Sequence, residues 1–128
     1  MRIALAYNLR REESEDQSEM YRQEEVELLV DTLDGLGYTV VPVEVSGTPD
    51  QIIEGLVDAK PKLIFNTAEG GAELGGAREA YYPAIYEQMG LPYTGGSPSL
   101  LQVTLDKRLT ERLLSLHGIR TPAGILLT

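Results

Sequence analysis

Residues 3–7 read Ile3-Ala4-Leu5-Ala6-Tyr7, and residues 63–65 read Leu63-Ile64-Phe65. Both runs are short and almost wholly apolar, without the polar alternation of a strand wetted on one side. That composition suits parallel strands covered on both faces. Tyr38 to Val45 is longer and β-branched, with Val40, Val41, Val43 and Val45. Pro42 inside it has no N–H to give a ladder, which places this strand at an edge. Leu91-Pro92-Tyr93-Thr94 reads as a fourth, weaker strand.

Helical signals fill the gaps. Between about Ser18 and Leu36 the apolar residues fall at Val26, Leu29, Val30, Leu33 and Leu36, one stripe at helical spacing that Gly37 ends. Thr48-Pro49-Asp50-Gln51 is a capping box with Pro in the first turn, and Ile52, Ile53, Leu56 and Val57 mark the buried face that follows. A third helix is expected from about Glu79 to Met89, restricted by Pro83 and stopped at Gly90. Ser97-Pro98 opens a fourth. Asp106 caps a fifth, which ends at Gly118. Ile125-Leu126-Leu127 reads as one more strand.

The order is therefore β-α-β-α-β-α-β-α-α-β. Strands alternating with helices imply crossover connections and a parallel sheet, and right-handed crossovers leave few topologies. The expectation is α/β: a Rossmann-like open parallel sheet of four central strands in the order 2-1-3-4, with helices on both faces.

Composition narrows the function classes. The chain has 128 residues and a formal net charge of −9, enough for one core and without the basic stripe that a nucleic-acid partner demands. No apolar run approaches a membrane span, and residues 3–7 turn polar too soon for a signal peptide. The expected setting is cytoplasmic, with no nucleic-acid or membrane partner. There is no cysteine and one histidine, His117, so thiolate sites are excluded and no zinc site of familiar spacing can be assembled. No metal ligands and no catalytic residues are assigned within the chain. Arg10 to Glu25 holds six Glu and one Asp and reads as a loop with an exposed helix face.

In open parallel sheets ligands gather beyond the carboxyl ends of the strands. The residues there are Asn8, Leu9 and Arg10 after strand 1, Asn66 to Gly71 after strand 3, and Gly95-Gly96-Ser97 after strand 4. The loop Asn66 to Gly76, NTAEGGAELGG, is rich in glycine, which lets backbone approach a ligand closely. Its carboxylate Glu69 suits a substrate ammonium group. Spacing alone leaves open a second reading, a surface loop with incidental acids. The loop is not of the Walker type, since no Gly-Lys-Ser/Thr closes it. Gly95-Gly96-Ser97 is either a tight turn with an ordinary N-cap or a set of N–H groups aimed at an anion. Lys107, in the first turn of the fifth helix, opposes the helix dipole. It is either a solvated lysine or one with a role beyond the helix.

Taken together, FNTAEGG, AREAYYPAIYEQMGLPYTGG and SLLQVTLDKRLTERLLSLHGIRTP resemble the N-terminal domain of the D-alanine–D-alanine ligases, members of the ATP-grasp superfamily of carboxylate–amine ligases. The resemblance runs from about Leu63 onward, and the first half agrees in element order. It implies a parent enzyme of peptidoglycan synthesis that uses ATP and Mg²⁺ to activate one amino acid as an acylphosphate, which the amine of a second attacks to give a dipeptide. It implies that Lys107, in the Asp106-Lys107 step, reaches the nucleotide phosphates. Glu69 stands where many members carry a histidine near the first amino acid. With Asn66 and Gly70 it forms the expected substrate-binding set, to which Glu19 (or Glu15) adds a stand-in for the acidic residue after strand 1. Here Asn8-Leu9-Arg10 replaces the family's glycine-rich turn, which also admits another ATP-grasp amino-acid ligase. A stand-alone, non-catalytic α/β binding or dimerisation module is the third reading. On the leading one, residues 1–120 are the substrate-side (pre-ATP-grasp) domain and residues 121–128 begin a central ATP-grasp lobe not contained in the chain. ATP and Mg²⁺ are then cofactors of the parent and not tight ligands of this chain, which alone is expected to be inactive. The partners are a small amino acid, the central and C-terminal lobes, and a second copy in a homodimer.

Overall fold

A computed structural model of the chain describes residues 1–122 and 124. Three strands, β1 (Arg2–Tyr7), β2 (Thr39–Glu44) and β3 (Leu63–Asn66), form a parallel sheet in the order β2-β1-β3. The central position of β1 follows from its composition: Ile3, Ala4, Leu5 and Ala6 are all buried, as a strand covered on both faces requires. β2 lies at an edge, where Pro42 faces Leu5 in the register without breaking an inner ladder.

The expected fourth strand is a correction. Leu91 to Thr94 runs beside β3, but the pairing is a single parallel bridge between Ile64 and Tyr93. Ile64 N–H donates to the Pro92 carbonyl at 2.8 Å and Thr94 N–H donates to the Ile64 carbonyl at 2.9 Å. The next donor, Asn66 N–H, goes to the Thr94 hydroxyl at 3.0 Å. A side chain thus ends the ladder where the backbone carbonyl would have continued it. Among the described residues the sheet has three strands, and the segment expected as a fourth borders it. The strand expected at Ile125-Leu126-Leu127 lies outside the described residues.

The described residues also form five α-helices: α1 (Gln23–Gly35), α2 (Pro49–Ala59), α3 (Arg78–Gln88), α4 (Pro98–Leu105) and α5 (Lys107–Leu116). α1 starts later than its apolar spacing suggests. Residues 15–17 form a 3₁₀ turn, and Tyr21 is tied to the extension of β1: its N–H donates to the Asn8 carbonyl at 3.0 Å and its carbonyl accepts from Arg10 N–H at 2.7 Å. The helix begins once that tie is complete, with the Glu25 carboxylate accepting the Arg22 N–H at 2.8 Å. α2 opens as expected, with the Gln51 side chain accepting the Thr48 N–H at 2.9 Å.

The two sheet faces carry separate cores. On one, Val26 of α1 packs with Leu5 and Tyr7. On the other, Ile52 and Leu56 of α2 and Tyr82 and Tyr86 of α3 pack with Ala4, Ala6, Val43 and Ile64. Each large side chain so enclosed contributes about 1.5–3 kcal/mol of hydrophobic stabilisation. The small Ala4 and Ala6 on β1 leave room there for Tyr82 and Tyr86. α4 packs on α3, and α5 follows it; neither contains a fully buried residue. No helix among the described residues is long and apolar enough to cross a membrane.

Candidate functional site

The carboxyl ends of β1 and β3 converge on the loop between β3 and α3. Thr67 anchors the loop's first step, its N–H and its hydroxyl both donating to the Ala6 carbonyl, at 2.9 and 3.0 Å. Asn66 turns its side chain inward, where Oδ1 accepts the Tyr86 hydroxyl at 3.1 Å. A 3₁₀ turn at residues 72–77 then carries the chain to α3. Gly70 has φ of +78°, and a Cβ there would meet the Arg78 carbonyl oxygen at 2.6 Å. Glycine at this position permits both the left-handed turn and the close approach to α3.

Between this loop and the start of α4 lies a cleft of about 180 Å³, bordered by Asn66, Thr67, Ala68, Glu69, Glu79, Gly95, Gly96 and Leu101. Two of its walls are backbone-rich, and its ionisable members are both carboxylates. Burial holds the Glu69 carboxyl above its ordinary range, the neighbouring carboxylates Glu79 and Glu19 add to that rise, and Arg78 opposes it. Arg78 is engaged elsewhere: its guanidinium binds Glu19 at 2.6 Å and Glu79 at 3.5 Å. Three carboxylates around one guanidinium leave the local charge negative. A small cation or ammonium group entering the cleft would relieve that excess.

The structure sorts the residues singled out from sequence. Asn66 and Glu69 border the cleft. Gly70 is buried behind it, holding the turn, and does not line it. Glu19 lies nearby but is tied to Arg78, with its side chain 59% exposed. Gly95 and Gly96 border the cleft, while the Ser97 hydroxyl accepts the Leu100 N–H at 3.3 Å and so caps its own helix. Lys107 borders no part of the cleft. It lines a separate cavity of about 550 Å³ with Asp106, Arg108 and Arg112, and another of about 410 Å³ with Thr121 and Pro122. Asp106 caps α5, its carboxylate accepting Arg108 and Leu109 N–H at 3.0 Å each. Among the described residues no group of three or more His, Cys, Asp or Glu is arranged to hold a metal.

Two features were missed in sequence. Glu79 borders the cleft, with Arg78 paired to it alongside, and the cue was available: a charged pair opening a helix just after a glycine-rich loop. The second is Asn8, whose place at the end of β1 was noted. Its role was not, because nothing in one polar residue after a strand shows that it is buried.

An open parallel α/β domain with a carboxylate-lined cleft beyond its strand ends is thus defined. Its sequence relatives point to one family. The chain is 30% identical over 98 residues to a D-alanine–D-alanine ligase of Rhizorhabdus wittichii, a match that covers 77% of this chain and 29% of the ligase. It is 33% identical over 99 residues to that of a Marinomonas species, with coverage of 75% and 30%. For the Moorella thermoacetica ligase the identity is 31% over 90 residues, with coverage of 70% and 27%. The resemblance to the N-terminal domain of the D-alanine–D-alanine ligases is thereby shown. The chain spans about three-tenths of the length of the curated relatives it matches. No family model matches it.

Proposed function

We propose that this domain is the substrate side of an ATP-dependent carboxylate–amine ligase that joins two small amino acids, D-alanine first among them. The observation that carries this reading is the Glu69 cleft, which sits where open parallel sheets bind ligands in a chain similar to D-alanine–D-alanine ligases. On this reading Glu69 and Glu79 hold the ammonium group of the first amino acid. The backbone of residues 66–68 and Gly95-Gly96 encloses its small body. The size of the cleft restricts the side chain that fits.

ATP with Mg²⁺ supplies the activation of a carboxylate when bound. Lys107, Arg108 and Arg112 border one cavity with Asp106, and the net positive charge of that lining suits a triphosphate. Lys107 is the residue proposed to reach it. Its cavity is separate from the Glu69 cleft, so joining nucleotide to amino acid is the task proposed for central and C-terminal lobes of a longer parent. The domain alone is then inactive, the parent works in the cytoplasm, and it pairs as a homodimer.

A second reading, an ATP-grasp ligase for a different amino acid, is favoured by Glu69 in place of histidine and by Asn8 at the end of β1. The test is ADP release by the full-length parent against a panel of amino acids. Turnover with D-alanine supports the first reading, preference for an L-amino acid supports the second, and release independent of any amino acid defeats both. Lys107→Ala in that parent should raise the KM for ATP, and unchanged ATP kinetics would remove Lys107 from the site.

A further inference from the structure

Asn8 is 2% exposed, and its amide is fully used. Oδ1 accepts the N–H of Glu69 at 2.9 Å and of Gly70 at 3.0 Å. Nδ2 donates to the Ser46 hydroxyl at 3.0 Å and to the Tyr82 hydroxyl at 2.9 Å. The orientation of the amide is unambiguous, because backbone N–H groups only donate and therefore must face the oxygen. One side chain thus ties the ends of β1 and β2, the loop after β3, and α3.

Glu69 needs such a tie. It stands in an irregular loop, where no ladder satisfies its amide, and its carboxylate feels the like charges of Glu79 and Glu19, with Arg78 opposing them. An unrestrained loop would relieve that repulsion by swinging Glu69 out to water, where its charge is better solvated. We propose that Asn8 is a positioning residue for Glu69: by gripping two successive amides it keeps the carboxylate turned into the cleft beside Glu79, ready for an ammonium group. This rests on the reading of Glu69 as an ammonium ligand.

The test is carbon-detected NMR of the glutamate carboxyls in the 128-residue chain, together with amide exchange at Glu69 and Gly70. Asn8→Ala should speed exchange at both amides by roughly tenfold or more and return the Glu69 titration midpoint toward the ordinary glutamate value. A role confined to stability would lower the unfolding midpoint and leave the Glu69 titration in place. Asn8→Asp keeps an oxygen toward both amides. It should preserve their protection while raising the Glu69 midpoint further, since a carboxylate now lies behind it. A folded Asn8→Ala with unchanged exchange and titration overturns the proposal. If that variant does not fold, Asn8→Asp decides: protected amides with a raised midpoint support it, and exposed amides or an unmoved midpoint overturn it. Titration with D-alanine separates the two layers. It should shift the Glu69 carboxyl in the wild-type chain and do so roughly tenfold more weakly in Asn8→Ala. No shift in the wild type, with exchange and titration as expected, defeats the ammonium reading and upholds the clasp.

Discussion

The backbone N–H of Glu69 ends on the side-chain oxygen of Asn8, 2.9 Å away, although 61 positions separate the two residues in sequence. The tie joins the last residue before the β1 loop to the loop that follows β3. It makes the cleft a property of the sheet and not of one flexible segment.

Gly70 is the loop's least replaceable residue. Gly70→Ala places a Cβ at 2.6 Å from the Arg78 carbonyl in a left-handed turn, and the turn alone costs about 1–3 kcal/mol for a non-glycine residue. With the clash, the expected loss is about 2–4 kcal/mol in a urea unfolding curve. Gly76→Ala, where a Cβ meets nothing within 4 Å, should be neutral to stabilising by about 0.4–1 kcal/mol.

Glu69 should make stability fall with rising pH. Its folded-state carboxyl titrates above the ordinary value, so between the unfolded and folded midpoints the native state binds more protons. Stability is lost as pH rises from the first to the second. Glu69→Gln should therefore show no advantage below the unfolded midpoint and a growing advantage through that window, levelling off above the folded one. Denaturation midpoints of the two proteins across acid to neutral pH provide the check, and a constant difference would contradict the assignment.

Tyr86 is wholly buried, and its hydroxyl serves Asn66 at 3.1 Å. Burial, the larger cause, and Tyr82 push its phenol well above the ordinary range, so it remains a donor at any ordinary pH. Tyr86→Phe should cost about 1 kcal/mol through the lost bond, whereas Tyr86→Ala should cost about 3–5 kcal/mol through the cavity it opens. Comparable losses for the two variants would show that the ring contributes little.

Asp106 holds two orphan N–H groups at the start of α5. Asp106→Ala should lower stability by about 0.5–2 kcal/mol, and Asp106→Asn should recover most of it. A circular-dichroism melt resolves the three proteins. An equal loss in both variants would shift the weight from the cap to the helix dipole.

Much of the architecture was legible because local chemistry dictates it. Two almost polar-free runs announced buried parallel strands, Pro42 announced an edge, and Thr48-Pro49-Asp50-Gln51 announced a helix start. What escaped depended on atoms far apart in sequence. Leu91 to Thr94 had the composition of a strand, but the Thr94 hydroxyl takes the donor that would have extended it. The start of α1 was misplaced because Tyr21 is bound to the continuation of β1, a contact no periodicity encodes. Of the site, Glu69 and Asn66 stood out through the glycine-rich loop around them. The role of Asn8 became visible only when the sheet brought three strand ends together.

The middle strand of the sheet is also the earliest made. β1 is flanked by β2 and β3, so a ribosome delivers it with neither neighbour yet in existence, and its second flank is filled only after Asn66 has cleared the exit tunnel. Until then this apolar segment lacks one or both of its partners, and it is exposed in the nascent chain to any holdase that binds short aliphatic segments.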